Sequence, residues 1–255
     1  EEGTDYTIFF PYNDNINARN VLMRLIGQGK CSGTLERSYL INKAYINEAQ
    51  VEGLEGNRVY TGETMSLIEL SYLLWCTQGI KEIRGRAYAT LRTVPCGGAR
   101  HEFECYMAVR DVDGLEPGLY HYLPMKHQIE FLGACDDLDG FIGRSLNGQV
   151  WGAKANVVFY YSFVAYRAEW RYGIYAHRVV LIDAGHITEN LYLASTSIGL
   201  GSCAIGSVNG RLADEAFGLD GEEEFIFYAH PVGTISEKDA QAELDFYAFV
   251  KEQGL

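Results

Sequence analysis

Apolar residues recur along this chain with two different periods. Leu67, Leu70, Leu73, Leu74 and Ile80 follow helical spacing and predict a helix with one core-facing stripe. Ser66 is its expected N-cap, Glu69 closes a capping box three residues on, and Gly79 is the expected stop. Ala184, Ile187, Leu191, Ala194 and Ile198 predict a second helix, opened by Asp183 as N-cap and ended by Gly199. Elsewhere the period shortens. Cys105–Arg110, Leu119–Leu123 and Gln128–Leu132 read as strands, the last two forming a hairpin around Pro124 and Lys126. Asn156–Val164 is a long apolar, aromatic and β-branched run, as a central strand would be.

Shorter segments fill the remainder. Asp136–Leu146 has helical character, Ser202–Ile205 reads as a short strand, and Gly206–Asn209 as a loop. Leu212–Phe217 reads as a short helix and Phe225–Ala229 as the last clear strand, closed by Pro231-Val232-Gly233. Near the start, Thr7–Phe10 suggests a strand and Asn17–Ile26 a helix; Glu48–Gly62 is a polar loop, and Lys238–Lys251 an amphipathic helix. The pattern predicts an α+β or mixed α/β fold. Residues 1–50 stand as an N-terminal extension without an assigned role, and 51–255 as one domain.

Charge and cysteine usage narrow the partners. The formal net charge is -13, which repels nucleic acid and anionic membranes, so neither is an expected partner. No run approaches the roughly 20 apolar residues of a membrane span. The six cysteines form no CxxC pair and the six histidines no HxxxH or HExxH pair, so no metal site is expected. Scattered cysteines in apolar runs suit a reducing, cytoplasmic setting. A GxSxG elbow is absent, as is a GxGxxG turn after a strand.

Two segments carry candidate chemistry. In Arg92–His101, Pro95 fixes one backbone angle while Gly97 and Gly98 permit a sharp turn; Arg100 and His101 set a cation and a titratable ring beside it. Such a turn can seat an anionic or planar ligand, and a plain surface bend is an equal reading. A nucleophilic Cys96, with His101 beside it or His186 elsewhere as base and its pKa lowered by Arg100, is weighed against a merely small side chain. In Ala168–Gly173, read as the connection between a core strand and a helix, Trp170-Arg171-Tyr172 sets a hydroxyl beside a guanidinium, which can donate a proton or orient a substrate, and a cation–π pair is as good a reading.

Taken together, the motifs resemble the nitroreductase-like flavin dehydrogenases of the SagB/ThcOx type. Arg92–His101 is similar to that family's Pro-Ser-Gly-Gly-Ala-Arg-His signature. Further segments agree in order: Met65–Ile80, Gly114–Tyr120, Trp170–Gly173, Asp183–Ala194 and Gly199–Gly206. The resemblance covers roughly residues 54–234. It implies a central, mainly antiparallel sheet wrapped by helices, a homodimer, and FMN held non-covalently. It also implies two-electron chemistry on a small-molecule or peptide-azoline substrate, with NAD(P)H as electron donor in some relatives. By position, Pro95, Cys96, Gly97 and Gly98 would lie along the flavin, with Arg100 among the cations near it. The backbone of Ile205, Gly206 and Ser207 would approach the ring, and Arg58 would meet the phosphate. Arg171 and Tyr172 match a catalytic Lys-Tyr pair, although Arg in place of Lys is a poor base. Of the family's Arg-Arg-Ser-x-Arg phosphate grip only Arg58 survives, in Leu54–Arg58, with Glu55 beside it. The alternative is therefore a degenerate, flavin-less relative that serves as a binding or scaffold subunit of a peptide-modifying complex.

Overall fold

A computed structural model describes residues 56–236 apart from 87–88, together with residue 252 and the backbone of 34–35 and 44–45. Thr34–Leu35 pairs antiparallel with Ala44–Tyr45. The expectations at Thr7–Phe10, Asn17–Ile26 and Lys238–Lys251 lie outside the described residues.

Helix α1 spans Leu67–Gln78 and carries the expected capping box. The Glu69 N–H donates to Ser66 Oγ at 3.3 Å, and the Ser66 N–H donates to Glu69 Oε2 at 2.8 Å. Because the box satisfies two orphan donors, Ser66→Ala is expected to cost about 1 kcal/mol. An unchanged urea midpoint would count against that role. The helix is buried nearly all round rather than along one stripe; Leu67 is exposed and Ile80 belongs to the next strand. Gly79 ends it for a steric reason. A Cβ there would stand 2.5 Å from the Trp75 ring and 2.6 Å from the Trp75 carbonyl oxygen.

A hairpin follows, β1 (Ile80–Arg84) and β2 (Ala89–Arg92), and among the described residues it pairs only with itself. The main sheet contains β3 (Phe103–Val109), β4 (Gly118–Leu123), β5 (Gln128–Gly133), β6 (Val157–Val164), β7 (Leu200–Ser202) and β8 (Glu224–Thr234). Its order is β5-β4-β3-β6-β8-β7, and every neighbouring pair is antiparallel. The helices are α2 (Leu138–Ser145), α3 (Ala165–Tyr172), α4 (Ala176–Ser197) and α5 (Gly210–Phe217).

Alternation along β3 and β6 builds two cores. Cys105, Met107, Phe159 and Tyr161 face α1 and α4, where Leu70, Leu73, Ile187 and Leu191 meet them. Tyr106, Ala108, Val158 and Tyr160 face α2 and α5, against Phe141, Ile142 and Phe217. Both faces of β6 are therefore covered, which is why its sequence is apolar without interruption. The result is a mainly antiparallel sheet between helical layers, the α+β fold expected. Among the described residues no helix is long and apolar enough to cross a membrane.

Four expectations are corrected. Asp183 does not cap a helix: α4 begins at Ala176, after Gly173 turns the chain with φ +51°, and Asp183 is buried inside it. Residues 168–172, read as a connection, form the end of α3. The strand expected at Ser202–Ile205 ends at Ser202, and Ile205 makes only an isolated bridge to Ala229. Finally, β8 runs through Pro231 to Thr234. The Pro231 carbonyl accepts from the Cys203 N–H at 3.1 Å, on the β7 side. A strand residue's N and O face the same neighbour, so the missing donor of proline falls just past the end of β7 and leaves the β6 ladder intact.

Candidate functional site

The turn after β2 is shaped by glycine and held by α4. Gly98 has φ +56°, a left-handed conformation that costs glycine least. The Gly97 N–H donates to Asp183 Oδ2 at 2.8 Å. Two helical turns further along α4, Asn190 Nδ2 donates to the carbonyls of Cys76 and Thr93 at 2.9 and 3.3 Å. A hydrogen bond to a buried carboxylate is worth about 1.5–3 kcal/mol, so these links fix the segment 93–97 against the helix.

Over the same glycines lies the end of α3. The Tyr172 hydroxyl stands 2.9 Å and Arg171 Nε 3.7 Å from where a Gly98 Cβ would be. The structure thus brings Gly97, Gly98, Arg171 and Tyr172 together, with Pro95 and Gly98 open to solvent. Arg100 Nε donates to the Gly98 carbonyl at 2.9 Å, and its guanidinium lies 5.3 Å from the Trp170 ring centroid. A cation–π pair therefore exists here, made by Arg100 with Trp170.

Beneath the turn is an acidic knot. The Cys96 thiol donates to Glu102 Oε2 at 3.2 Å, and Cys96, Glu102 and Asp183 offer ligand-type atoms within 4.8 Å of one another. Burial pushes the Cys96 thiol up, and the neighbouring Glu102 and Asp183 carboxyls push it further. That direction favours the protonated thiol and weighs against a nucleophilic Cys96. Burial also raises Glu102, with the Asp183 charge adding to it. His101 is no partner base. Its Nε2 lies 3.0 Å from the Thr90 carbonyl, and burial first, then Arg92, lower its pKa to about 3.

The other expected site residues form a second group. Arg58 is exposed, with its guanidinium 5.6 Å from the Trp151 ring centroid. Ile205 is buried and bridges Ala229, whereas Gly206 and Ser207 are exposed. A Cβ on Gly206 would meet only Tyr228, at 3.5 Å, so bare backbone is open to a ligand there. Ser207 Oγ accepts from Asn147 Nδ2 at 3.1 Å. Among the described residues, no hydrogen bond or ring contact joins Arg58, Gly206 or Ser207 to the Pro95 turn. Both groups reach α4, however: Tyr192, on that helix, accepts the Ala204 N–H at 2.7 Å.

Sequence reasoning missed Asp183 and Asn190 as supports of the turn. A signal was present, since both fall on the buried stripe of α4, where an unpaired carboxylate or amide would be costly. Arg167 was missed as well. It ties the His101 carbonyl to Glu104 through Nη1, at 3.1 and 2.5 Å.

Comparison with known proteins bears on what such an arrangement is. A nitroreductase-type protein of Methanocaldococcus jannaschii is 34% identical over 154 residues, 59% of this chain and 73% of that protein. The trifolitoxin-processing protein TfxB of Rhizobium leguminosarum bv. trifolii is 31% identical over 138 residues, 51% of this chain but only 36% of that protein. The crystal structure of a nitroreductase-like protein from Ralstonia eutropha superposes with a TM-score of 0.61 at 25% identity, covering 74% of this chain and 82% of that one. The Nitroreductase family model itself matches residues 57–234, from Asn57 before α1 to the last residue of β8. That span takes in the whole sheet and both groups of candidate residues, and the chain belongs to the Nitroreductase family.

Proposed function

We propose that this chain is an FMN-dependent oxidoreductase that acts as a homodimer on a small-molecule or peptide-azoline substrate. The observation that carries the reading is the meeting of Arg171 and Tyr172 with the Gly97-Gly98 turn, because it sets a proton donor and a fixed cation beside backbone that a flat ring can approach. The residues present fit such a group in part. Pro95, Cys96, Gly97 and Gly98 would face it, and the exposed backbone of Gly206 and Ser207 would offer N–H donors, beside the buried Ile205, whose own N–H is donated to the Ala229 carbonyl at 2.8 Å. Arg58 is accessible to a phosphate, with Arg100 near the turn as a second cation. When bound, FMN supplies two-electron redox chemistry.

The chain's own residues have separate tasks. Tyr172 donates or accepts a proton at its hydroxyl. Arg171 stays charged and orients the substrate rather than taking its proton. Asp183 holds the Gly97 amide and so fixes the level of the turn. A homodimer would draw on the outer surface of α3 and α4, where Trp170, Ile174, Tyr175, Leu181 and Ile182 are exposed and Ile174 keeps 81% of its surface in water. TfxB, by its name, processes trifolitoxin; with the resemblance to azole-forming relatives, the likeness favours a peptide substrate, and NAD(P)H is the electron donor to try with nitroaromatic or quinone acceptors.

Titration with FMN checks the reading. Purified protein is expected to hold flavin and turn yellow; protein that stays colourless in excess FMN overturns the assignment in favour of a flavin-less scaffold subunit. Arg58→Ala should weaken flavin retention about tenfold, the loss of one charge-assisted contact. Tyr172→Phe should keep the flavin and lower turnover by roughly 10²-fold or more. Unaltered turnover in Tyr172→Phe would remove Tyr172 from the chemistry.

A further inference from the structure

A second cavity, of about 340 Å3, opens between the β1–β2 hairpin, the ends of β3 and β4, and α3. Arg92, Arg100, Arg167 and Glu104 line its polar side, with Leu123 and Met125 on its apolar side. Arg100 is shared with the proposed flavin site, whereas Pro95, Gly97, Arg171, Tyr172, Ile205 and Gly206 take no part in the cavity. The volume is at the lower end of the range for small-molecule sites.

Arg92 is the unusual member. It keeps only 9% of its surface exposed. Its Nη1 donates to Gln78 Oε1 at 2.5 Å, a neutral partner, while Nε is buried without any partner. A guanidinium removed from water without a carboxylate in contact is costly, and natural structures keep such groups only when something pairs with them. Glu104, the one carboxylate among the described residues lining the cavity, is engaged by Arg167. Burial works against its ionisation, yet the approach of His121 Nε2 at 3.5 Å and the Arg167 and Arg92 charges win and hold its pKa at about 2. Among the described lining residues, Arg92, Arg100 and Arg167 stand with the single carboxylate of Glu104, so the lining is rich in cations in a chain whose formal net charge is -13. His101 adds no charge at neutral pH.

We propose that this cavity binds an organic carboxylate, with the carboxylate against the Arg92 guanidinium and an apolar body against Leu123 and Met125. The planar edge of a guanidinium matches a planar carboxylate better than it matches a tetrahedral ion. The fixed negative charge of Glu104 also tolerates a monoanion better than a dianion. The apolar wall gives a bare inorganic ion nothing to contact. The acid is either a free small molecule or the C-terminus of a peptide, since both present the same group.

Calorimetric titration of the full chain without added flavin tests this independently of the FMN reading. The probes are 3-phenylpropionate, its neutral amide, phenyl phosphate and an N-acetylated tripeptide ending in phenylalanine. Saturable binding of 3-phenylpropionate or of the tripeptide is expected, and the tighter of the two identifies the source. The amide should bind at least about tenfold more weakly. Met125 is 62% exposed, so Met125→Glu should leave the fold intact and set a repelling charge at the cavity mouth. It is expected to weaken the carboxylate at least about tenfold, while Met125→Gln stays within about threefold of the parent. Arg92→Gln, where it folds, should abolish binding. Equal binding of acid and amide, no binding of either acid, or indifference to Met125→Glu would overturn the proposal. Tighter binding of phenyl phosphate would overturn the carboxylate assignment in favour of a phosphate monoester.

Discussion

Acidification from pH 7 to pH 5 is expected to remove about 6 kcal/mol from the stability of this fold. Three buried histidines are responsible. Burial lowers His101 to a pKa of about 3, aided by the Arg92 charge, and lowers His127 to about 4 and His230 to about 3. Each is neutral in the folded chain at pH 5, whereas the same ring in the unfolded chain titrates near 6.5. The unfolded state therefore binds more protons, and stability falls as pH drops below the unfolded value. The loss continues toward the folded pKa values of 3 to 4. Each ring contributes about 2 kcal/mol between pH 7 and pH 5. That total rivals the whole stability of a typical domain.

The three rings are held neutral in different ways. His127 receives or donates hydrogen bonds on both sides, at 2.8 Å with Ser71 and 2.7 Å with Tyr122. His230 is 0% exposed and neither ring nitrogen has a hydrogen-bond partner; Tyr192 packs edge-on against it at 4.6 Å. His230→Phe should thus be tolerated at pH 7 and remove about a third of the acid sensitivity. Urea denaturation of parent and variant at pH 7 and pH 5 reads both effects. Equal stability of the parent at the two pH values would show that these rings already carry charge in the folded chain.

Gly97→Val is expected to destabilise the fold by about 3 kcal/mol and to pull the end of α3 off the turn. A Cβ at Gly97 would stand 2.6 Å from Val179 Cγ1, 3.0 Å from the Tyr172 hydroxyl and 3.3 Å from Asp183 Oδ2. The first and last of these lie on α4, inside the packed turn, so relief requires separating elements rather than rotating one side chain. Gly185→Ala is the matched control on the same helix. Nothing lies within 4 Å of a Cβ there, and a helical alanine should add about 0.5–1 kcal/mol. If Gly97→Val melted with the parent, the contact of Tyr172 with the turn would be wrong. In flavin-loaded protein the same variant should also release FMN.

Local chemistry made much of the fold legible. The Ser66–Glu69 box, the β4–β5 hairpin and the continuous apolar run of β6 each advertise themselves within a few residues. What escaped depends on distant packing. Asp183 looks like an N-cap when only its neighbours are considered, yet it sits inside a helix because its partner is the amide of Gly97, 86 residues away. Pro231 looks like a strand end, and is not one because the adjacent strand has already stopped. In the candidate site, the Pro95–Gly98 turn was recognisable from its glycines and proline. The contact with Arg171 and Tyr172 required the chain to fold back between α3 and α4, which no local spacing encodes. Arg92 was visible as a cation, but its burial and its free Nε were not.

Helix α4 also has two sides in use. Its inner side carries Asp183 and Asn190, which grip the segment 93–97, and its outer side carries Leu181 and Ile182 in water. A rod gripped on one side and exposed on the other works as a lever. Pressure on its outer side is delivered to the turn with little loss, because the helix cannot bend within so few residues. In the homodimer proposed above, the surface covering Leu181 and Ile182 would bear on the same helix whose inner side holds the Gly97 amide.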